Sequence, residues 1–167
     1  KASASLWLQA YATLYGMQTV EVRFFTPYGP GEVSTRLVPH TILSALSGQP
    51  IRATQGLQQR DFLYIDDVID ALIAAGKQPL APGSVFNIGS GAGTPVREVV
   101  TRILRLMGDP VQALFGALPT RPDEIMEMSA DISAARRQLG WQPKVSLEEG
   151  LKRSIDWVEA HAELAPR

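Results

Sequence analysis

The sequence predicts an α/β protein, because strand-like runs rich in β-branched and aromatic residues alternate with segments of helical periodicity along the chain. Glycine or proline stands at most junctions between these segments, as expected where one element ends and the next begins. The 167 residues, 45% of them hydrophobic, suffice for a core, since a domain of this length removes about 70% of its unfolded surface from water. A disordered chain and a disulfide-stapled miniprotein are therefore excluded.

The first elements are a helix and a strand. Residues 2–15 predict the helix, with Gly16 placed to end it, and residues 19–25 predict the strand. Two prolines and two glycines within residues 27–31 then break the regular structure. The apolar stripe of the predicted helix consists of Leu6, Trp7, Ala10, Tyr11 and Leu14.

The middle of the chain continues the alternation. Its predicted elements are a helix over 37–46, a short strand near Ile51, a strand over 61–65, a helix from 66 to about 75 and a strand over 85–88. Asp66 has the side chain expected to cap the second of these helices.

The last part of the chain is mostly helical. Its predicted elements are a helix through 106, a strand over 111–115, a loop over 118–128, a helix over 132–139 and a final helix. Thr94 and Pro95 have the cap and first-turn chemistry to begin the first of these helices. Ser146 and Glu149 form a capping box for the final helix, which is expected to bury Leu147, Leu151, Ile155 and Val158.

Composition excludes several kinds of function. Sixteen Lys and Arg against seventeen Asp and Glu leave no basic field for nucleic acid. The chain has no cysteine, and His40 and His161 lie far apart, so no metal site is expected. No apolar run approaches the ~20 residues of a membrane span. We expect a cytoplasmic protein with no membrane partner, because the lack of cysteine fits a reducing compartment.

The turn over residues 89–93 contains three glycines between a predicted strand and a predicted helix. The third glycine comes one position early for the dinucleotide-binding pattern G-x-G-x-x-G, which leaves Thr94 where glycine permits close helix packing. Asp109, twenty residues after Gly89, precedes an apolar run instead of ending a strand. The pattern therefore favours an ordinary tight turn.

Three arginines are candidates for phosphate binding. Arg60 stands beside Asp61 at the start of a predicted strand, where a guanidinium holds phosphate in a bidentate manner. A surface ion pair of little energetic weight explains Arg60 equally well. Arg121 lies between prolines in a loop, and Arg36 has weaker support.

Acidic and histidine residues give no separate catalytic pattern. Capping and the helix dipole explain Asp66 and Asp67 without acid–base chemistry. Neither His40 nor His161 has a second ligand or a triad partner nearby in sequence.

Five segments occur in an order that is similar to one family. They are Lys1 with the helix ending at Tyr15-Gly16, then Arg23-Phe-Phe-Thr-Pro-Tyr-Gly-Pro30, Arg60-Asp-Phe-Leu-Tyr-Ile-Asp-Asp67, Phe86-Asn-Ile-Gly-Ser-Gly91 and Leu139-Gly-Trp-Gln-Pro143. Together they resemble the second half of an extended short-chain dehydrogenase/reductase, in the nucleotide-sugar epimerase and dehydratase group.

The resemblance implies a division of the chain. Residues 1–30 would end a Rossmann-type doubly wound parallel sheet, and residues 31–167 would form mainly a small α/β substrate-binding lobe. Residues 84–107 would return a strand and a helix to the Rossmann sheet. The first helix would pair with its counterpart in a homodimer.

The resemblance also implies a catalytic and cofactor site. Lys1 matches the lysine of the family's Tyr-x-x-x-Lys pair, which holds the nicotinamide ribose and lowers the pKa of the tyrosine. That tyrosine would lie four residues before Lys1, so a chain beginning at Lys1 is expected to be inactive alone. Phe24, Phe25 and Pro27 would line the nicotinamide of NAD, with NADP as the alternative cofactor.

The remaining implied residues belong to the substrate site for a nucleotide-diphosphate sugar. Thr26 stands where many relatives have an asparagine that contacts the diphosphate, and Asn87 would support the backbone of the site. The other implied positions are Arg36, Leu37 and Val38 along the nucleotide, and Arg60 and Arg121 on the diphosphate.

The expected function is therefore NAD-dependent epimerisation or dehydration of a nucleotide sugar, by hydride transfer at a sugar carbon. A non-catalytic binding or regulatory protein that keeps the fold is one alternative. A reductase of the same fold acting on another substrate is the other, although two arginines around one pocket favour a diphosphate.

Overall fold

The structure is a computed structural model, and it describes residues 1–161. The helices are α1 Ala2–Tyr15, α2 Leu37–Leu46, α3 Ile65–Lys77, α4 Val96–Leu106, α5 Ser133–Leu139 and α6 Leu147–Ala160. The strands are β1 Val20–Phe24, β2 Thr26–Tyr28, β3 Ile51–Ala53, β4 Gln59–Arg60, β5 Phe62–Tyr64, β6 Ser84–Ile88, β7 Thr94–Pro95 and β8 Ala113–Phe115. The α/β prediction is confirmed, and none of the helices over residues 1–161 is long and apolar enough to cross a bilayer.

Most strand pairs are parallel. β1 pairs with β6, β2 with β5 and β3 with β8 in parallel, whereas β4 pairs with β7 in antiparallel fashion. The first two pairs are continuous, because Phe25 N–H donates to the carbonyl of Ile88 at 3.2 Å and Thr26 N–H donates to that of Asp61 at 3.0 Å. The carboxyl end of β1 therefore leads directly into the region between β2 and β5.

The core has two main parts. One lies between the β1–β6 pair, α3 and α5, with Phe86 and Ile88 at its centre. The other lies among α2, α4 and α6, where Ile42, Val99 and Leu151 are fully buried. Thus β6 returns to β1, whereas α4 packs against α2 and α6. The division into a Rossmann end and a substrate lobe stays a prediction.

The start of α4 differs from the sequence expectation. Thr94 and Pro95 form β7, and the helix begins only at Val96, with no side chain capping it. The reason is that backbone carbonyls already satisfy its first N–H groups. Val96 N–H donates to Gln58 at 3.0 Å and Arg97 N–H donates to Gly56 at 2.8 Å.

The acidic pair at the start of α3 also differs from expectation. The helix begins at Ile65, so Asp66 lies inside the first turn and makes no cap hydrogen bond. Asp67 is buried and accepts from the N–H groups of Lys144 and Val145, each at 3.0 Å. Its carboxylate fastens a distant loop, which sequence spacing does not reveal.

The capping prediction for α6 holds for one of its two hydrogen bonds. Ser146 Oγ accepts from the N–H of Glu149 at 3.2 Å. The Glu149 side chain turns away to Arg153 at 2.8 Å, so the reciprocal bond of a capping box is absent from the described residues. The expected apolar face is buried from Leu151 to Val158, with Leu147 partly exposed.

The predicted stripe of α1 faces away from the sheet. Leu6 and Leu14 are 68% and 72% exposed, whereas Ala12 is buried. Leu8 is partly buried and its carbonyl accepts from Thr19 Oγ1 at 3.2 Å. A different face of the helix therefore covers β1, and the apolar stripe is left exposed.

Candidate binding cavity and cofactor face

One open cavity is lined by all three arginines that the sequence analysis singled out, together with Thr26. Its volume is about 690 Å³, within the range of small-molecule sites. It lies between β2, the start of α2 and the loop over residues 118–128. The predicted site residues that line it are Phe25, Thr26, Arg36, Leu37, Val38, Arg60 and Arg121.

The local fold explains why these residues meet. Phe25 and Thr26 follow the carboxyl end of β1, the place where parallel strands present ligand-binding residues. Arg36 is the N-cap of α2, so residues 36–38 lie at the end of that helix carrying the positive partial charge. Arg60 lies on β4, which the loop residue Met126 also joins, since Gln59 N–H donates to its carbonyl at 2.7 Å.

Arg60 is held firmly at the cavity wall. Its Nη1 donates to the carbonyls of Gln59 and Ile125, each at 2.7 Å, and its Nη2 is paired with Glu124. A guanidinium has five N–H donors, so two remain for a ligand after these three bonds. The ion pair of Arg60 is with Glu124, in a partly buried position. It is not a surface pair with the adjacent Asp61, whose side chain is fully buried.

Arg36 and Arg121 are held less firmly. Arg36 Nε approaches Glu32 Oε1 at 3.4 Å, one helical turn earlier in sequence, and its side chain is 58% exposed. Arg121 is exposed, and its guanidinium forms no ion pair with any described residue. Its backbone carbonyl accepts from Glu124 N–H at 3.2 Å, which begins the turn that brings Glu124 to Arg60.

Two carboxylates at this cavity, Glu32 and Glu124, were not anticipated from the sequence. Glu32 and Arg36 are four residues apart, but both precede the first residue of α2, so the helical i,i+4 rule does not predict this contact. Glu124 meets Arg60 across 64 positions, and nothing in the sequence pattern indicates that contact. Burial raises the pKa of Glu32, and the neighbouring Arg36 offsets part of that effect.

Asp61 is a third carboxylate whose role the sequence analysis missed. It is fully buried, and its carboxylate accepts from the N–H groups of Ser90, Gly91 and Ala130 at 2.5, 3.0 and 2.8 Å. Gly89 fits beside it only because glycine has no side chain, since a Cβ there would lie 2.5 Å from Asp61 Oδ2. Asp61 therefore binds the glycine turn and the chain near Ala130 to the end of β4.

The same contacts explain the glycine turn itself. A dinucleotide-binding turn keeps its N–H groups free for phosphate, but here Ser90 and Gly91 donate theirs to Asp61. The structure therefore agrees with an ordinary tight turn over residues 89–93. This turn is not the place where a cofactor pyrophosphate would be held.

Four predicted site residues lie outside the lining of the cavity. Lys1 is exposed at the N-cap of α1, and Phe24 ends β1 with 38% of its surface exposed. Pro27 pairs with Leu63, and Asn87 pairs with Arg23 in the β1–β6 ladder. Their assignments to cofactor and substrate contacts stay predictions.

The residues expected around the nicotinamide fit that group in one respect. Phe24 and Phe25 follow one another at the carboxyl end of a parallel strand, which is where nucleotide cofactors bind in open α/β sheets. The exposed ring of Phe24 is available to cover an apolar face of a ligand. This part of the chain would hold the nicotinamide end of the cofactor and not its pyrophosphate.

Solved structures define the class of the fold. The structure of UDP-glucose 4-epimerase from Thermotoga maritima with UDP-glucose superposes with a TM-score of 0.90 at 30% identity, over 97% of this chain and 52% of that chain. UDP-glucuronic acid 4-epimerase from Bacillus cereus, in complex with UDP-glucuronic acid and NAD, gives a TM-score of 0.87 at 30% identity, over 96% of this chain and 51% of that chain. The chain therefore has the Rossmann-type fold of these epimerases.

The sequence comparison gives the family. Residues 1–89 of the 167 match the model of the NAD dependent epimerase/dehydratase family. UDP-glucuronate 4-epimerase from Thermodesulfobacterium geofontis is 34% identical over 166 residues, which are 98% of this chain and 50% of that protein. The chain belongs to the NAD-dependent epimerase/dehydratase family, and it spans about half the length of the curated relatives it matches. The expected family and its NAD dependence are confirmed.

Proposed function

We propose that the natural protein carrying this chain is an NAD-dependent epimerase or dehydratase that acts on a nucleotide-diphosphate sugar. The observation that carries the proposal is the meeting of Arg36, Arg60 and Arg121 around one cavity that opens beside the end of β1. The relatives named UDP-glucose 4-epimerase and UDP-glucuronate 4-epimerase support the same substrate class.

The arginines would hold the diphosphate. Arg60 has two N–H donors left after its contacts to the protein, which suits two phosphate oxygens. Arg121 forms no ion pair among the described residues, so binding there breaks no existing one. Leu37 and Val38 at the start of α2 would pack along the nucleoside, and Thr26 would donate its hydroxyl to the sugar side of the diphosphate.

Lys1 would serve the proton-transfer step. A lysine four residues after a tyrosine on one helix lies on the same face, and its positive charge lowers the pKa of that tyrosine. The tyrosine would then move a proton at the sugar hydroxyl. NAD, when bound, supplies the hydride acceptor for the sugar carbon. Phe24, Phe25 and Pro27 would cover the nicotinamide, and Asn87 would support the backbone beside it.

The diphosphate assignment is tested by replacing Arg60 in the natural full-length protein. Arg60→Ala should weaken nucleotide-sugar binding by ~2 kcal/mol or more, about thirtyfold, because a charged hydrogen-bonding partner is lost. Titration calorimetry with UDP-glucose and dTDP-glucose measures the change. Arg136→Ala, which removes an exposed arginine away from the cavity, is the matched control.

A folding defect must be separated from lost binding, because Arg60 also bonds two backbone carbonyls. Arg121→Ala removes a cation that forms no ion pair among the described residues, so the variant should keep the fold. The affinity of this variant for the nucleotide sugar should nevertheless fall. Unchanged affinity in both variants, with circular dichroism showing intact folds, would remove the diphosphate from this cavity.

A further inference from the structure

Glu21 on β1 is a largely buried carboxylate that the proposed mechanism leaves unused. Its side chain is 17% exposed, and its Oε1 accepts from Ser5 Oγ and from Arg23 Nε, each at 2.7 Å. These two hydrogen bonds lower the pKa of Glu21, so its carboxyl group stays ionised. Its Oε2 is buried, and no residue among 1–161 donates to it. A buried oxygen without a donor costs free energy, so this carboxylate calls for an explanation.

The contact with Ser5 fastens the first turn of α1 to the strand. Ser5 N–H donates to the Lys1 carbonyl at 3.1 Å, which is a main-chain bond of that first turn. Lys1 and Ser5 are four positions apart, so they lie on the same side of the helix. A group that holds the Ser5 hydroxyl therefore also holds the backbone from which the Lys1 side chain projects.

A second side-chain contact fixes the direction of α1 along β1. Thr19 Oγ1 donates to the carbonyl of Leu8 at 3.2 Å. Because Leu8 lies beside Thr19 and Ser5 lies beside Glu21, the helix runs antiparallel to the strand. The first residues of α1 are therefore carried toward the carboxyl end of β1.

The same contacts place the backbone of Lys1 along the strand. A helix advances about 1.5 Å per residue and a strand about 3.3 Å. The four residues from Ser5 back to Lys1 thus match about two residues of strand, counted from Glu21. This brings the Lys1 backbone level with Arg23, one residue before Phe24 at the end of β1. The long lysine side chain then starts beside the strand end that the proposed function gives to the nicotinamide.

We infer that Glu21 is a positioning residue for Lys1: by holding Ser5, it sets the point from which the lysine side chain enters the cofactor site. The inference rests on the proposed function and deepens it. Arg23 balances the charge of Glu21, so the pair holds the helix without adding a net charge beside the lysine. Neither Glu21 nor Ser5 lines the cavity proposed for the nucleotide sugar.

Ser5→Ala in the natural full-length protein is the main test, because it removes the contact without changing any charge. The kcat should fall about tenfold or more, since a displaced catalytic group loses its alignment with the reacting atoms. The KM for the nucleotide sugar should stay within about twofold, because the cavity is unaltered. Initial rates with UDP-glucose, UDP-glucuronate and dTDP-glucose at saturating NAD, with products followed by NMR, give both constants.

Two variants of Glu21 test whether the hydrogen bond to Ser5 is the cause. Glu21→Ala should lose as much kcat as Ser5→Ala, and the double variant should lose no more than either single variant. Glu21→Gln keeps an oxygen that accepts from Ser5 and should retain about a third or more of the wild-type kcat. A Glu21→Gln variant as slow as Glu21→Ala would overturn the inference.

Thr19→Val is the matched control, because it removes the other side-chain hydrogen bond between α1 and β1, farther from Lys1. It should keep kcat within about twofold of wild type. If Ser5→Ala and Thr19→Val lose equal kcat, the Ser5 contact only stabilises the helix and the inference is refuted. Circular dichroism compares the folds, and Ser5→Ala is expected to fold because alanine favours helix.

Wild-type turnover separates this inference from the proposed function. If the folded protein converts none of the three nucleotide sugars, the proposed function fails and the inference fails with it. If it converts one of them and Ser5→Ala keeps the wild-type kcat, only the inference fails.

Discussion

Asp61 shows how one buried side chain organises the surroundings of a site. Its carboxylate accepts three backbone N–H groups from two separate segments, and its own carbonyl accepts from Thr26 in the cavity. Buried donors that lose their acceptor cost the full desolvation of each group. Asp61 therefore connects the stability of the glycine turn to the position of Thr26.

Replacing Asp61 by asparagine should lower the free energy of unfolding by ~2–3 kcal/mol. The amide group that replaces one oxygen brings its own N–H donors toward backbone N–H groups, which leaves those groups without an acceptor. Urea unfolding of the natural protein, followed by circular dichroism, measures the change. Asp123→Asn alters an exposed carboxylate in the loop over residues 118–128 and should change the stability by less than about 0.5 kcal/mol. Equal effects in the two variants would contradict this role for Asp61.

At the scale of elements, the observed boundaries of the first two helices agree closely with those predicted from the sequence. Apolar periodicity and Gly16 fix α1 as predicted, and α2 over residues 37–46 agrees at both ends. The predicted start of α4 was wrong, because Thr94 and Pro95 pair with β4. Pairing between strands that are distant in sequence produces no periodic pattern in the sequence of either strand.

The candidate site was predictable only in part. Arg60 and Arg121 were singled out by chemistry and by the resemblance, and the structure brings both to one cavity with Arg36. Glu124 and the buried contacts of Asp61 were missed, since they depend on a loop folding back across more than sixty residues. Side-chain pairs of this kind are set by tertiary packing and not by local spacing.

The packing of α6 on β2 depends on one glycine. A Cβ at Gly150 would lie 2.2 Å from Tyr28 Oη and 2.9 Å from a ring carbon of Tyr64. Gly150→Ala should therefore destabilise the protein by ~1–3 kcal/mol through overpacking, although alanine favours helix formation. Thermal and urea unfolding measure the loss.

A double-mutant cycle identifies the cause of that loss. Tyr28→Phe removes the hydroxyl nearest to the new methyl group, together with its 3.3 Å hydrogen bond to the Leu147 carbonyl. The Gly150→Ala penalty should shrink by about 1 kcal/mol in the Tyr28→Phe background. Strict additivity of the two changes would show that the hydroxyl is not the obstructing group.

At the scale of the whole molecule, α1 presents a stripe of exposed apolar side chains. Leu6, Trp7 and Leu14 are each more than 60% exposed on one helix, and a different face of that helix covers β1. Soluble proteins rarely leave several large apolar side chains together in water unless another surface covers them. The expected homodimer through this helix stays a prediction, and the stripe is where it would form.

Trp7→Glu should dissociate that dimer in the natural full-length protein. A helix pair related by twofold symmetry would contain the substitution twice, so a charge enters the apolar contact from each side. We expect the dissociation constant to rise at least a hundredfold, measured by analytical ultracentrifugation over a range of protein concentrations. Gln9→Glu adds the same charge at an exposed polar position of α1 and should leave the dissociation constant within about threefold of wild type. A wild-type protein that is monomeric at micromolar concentration, or a Trp7→Glu variant as dimeric as Gln9→Glu, would rule out a homodimer through this stripe.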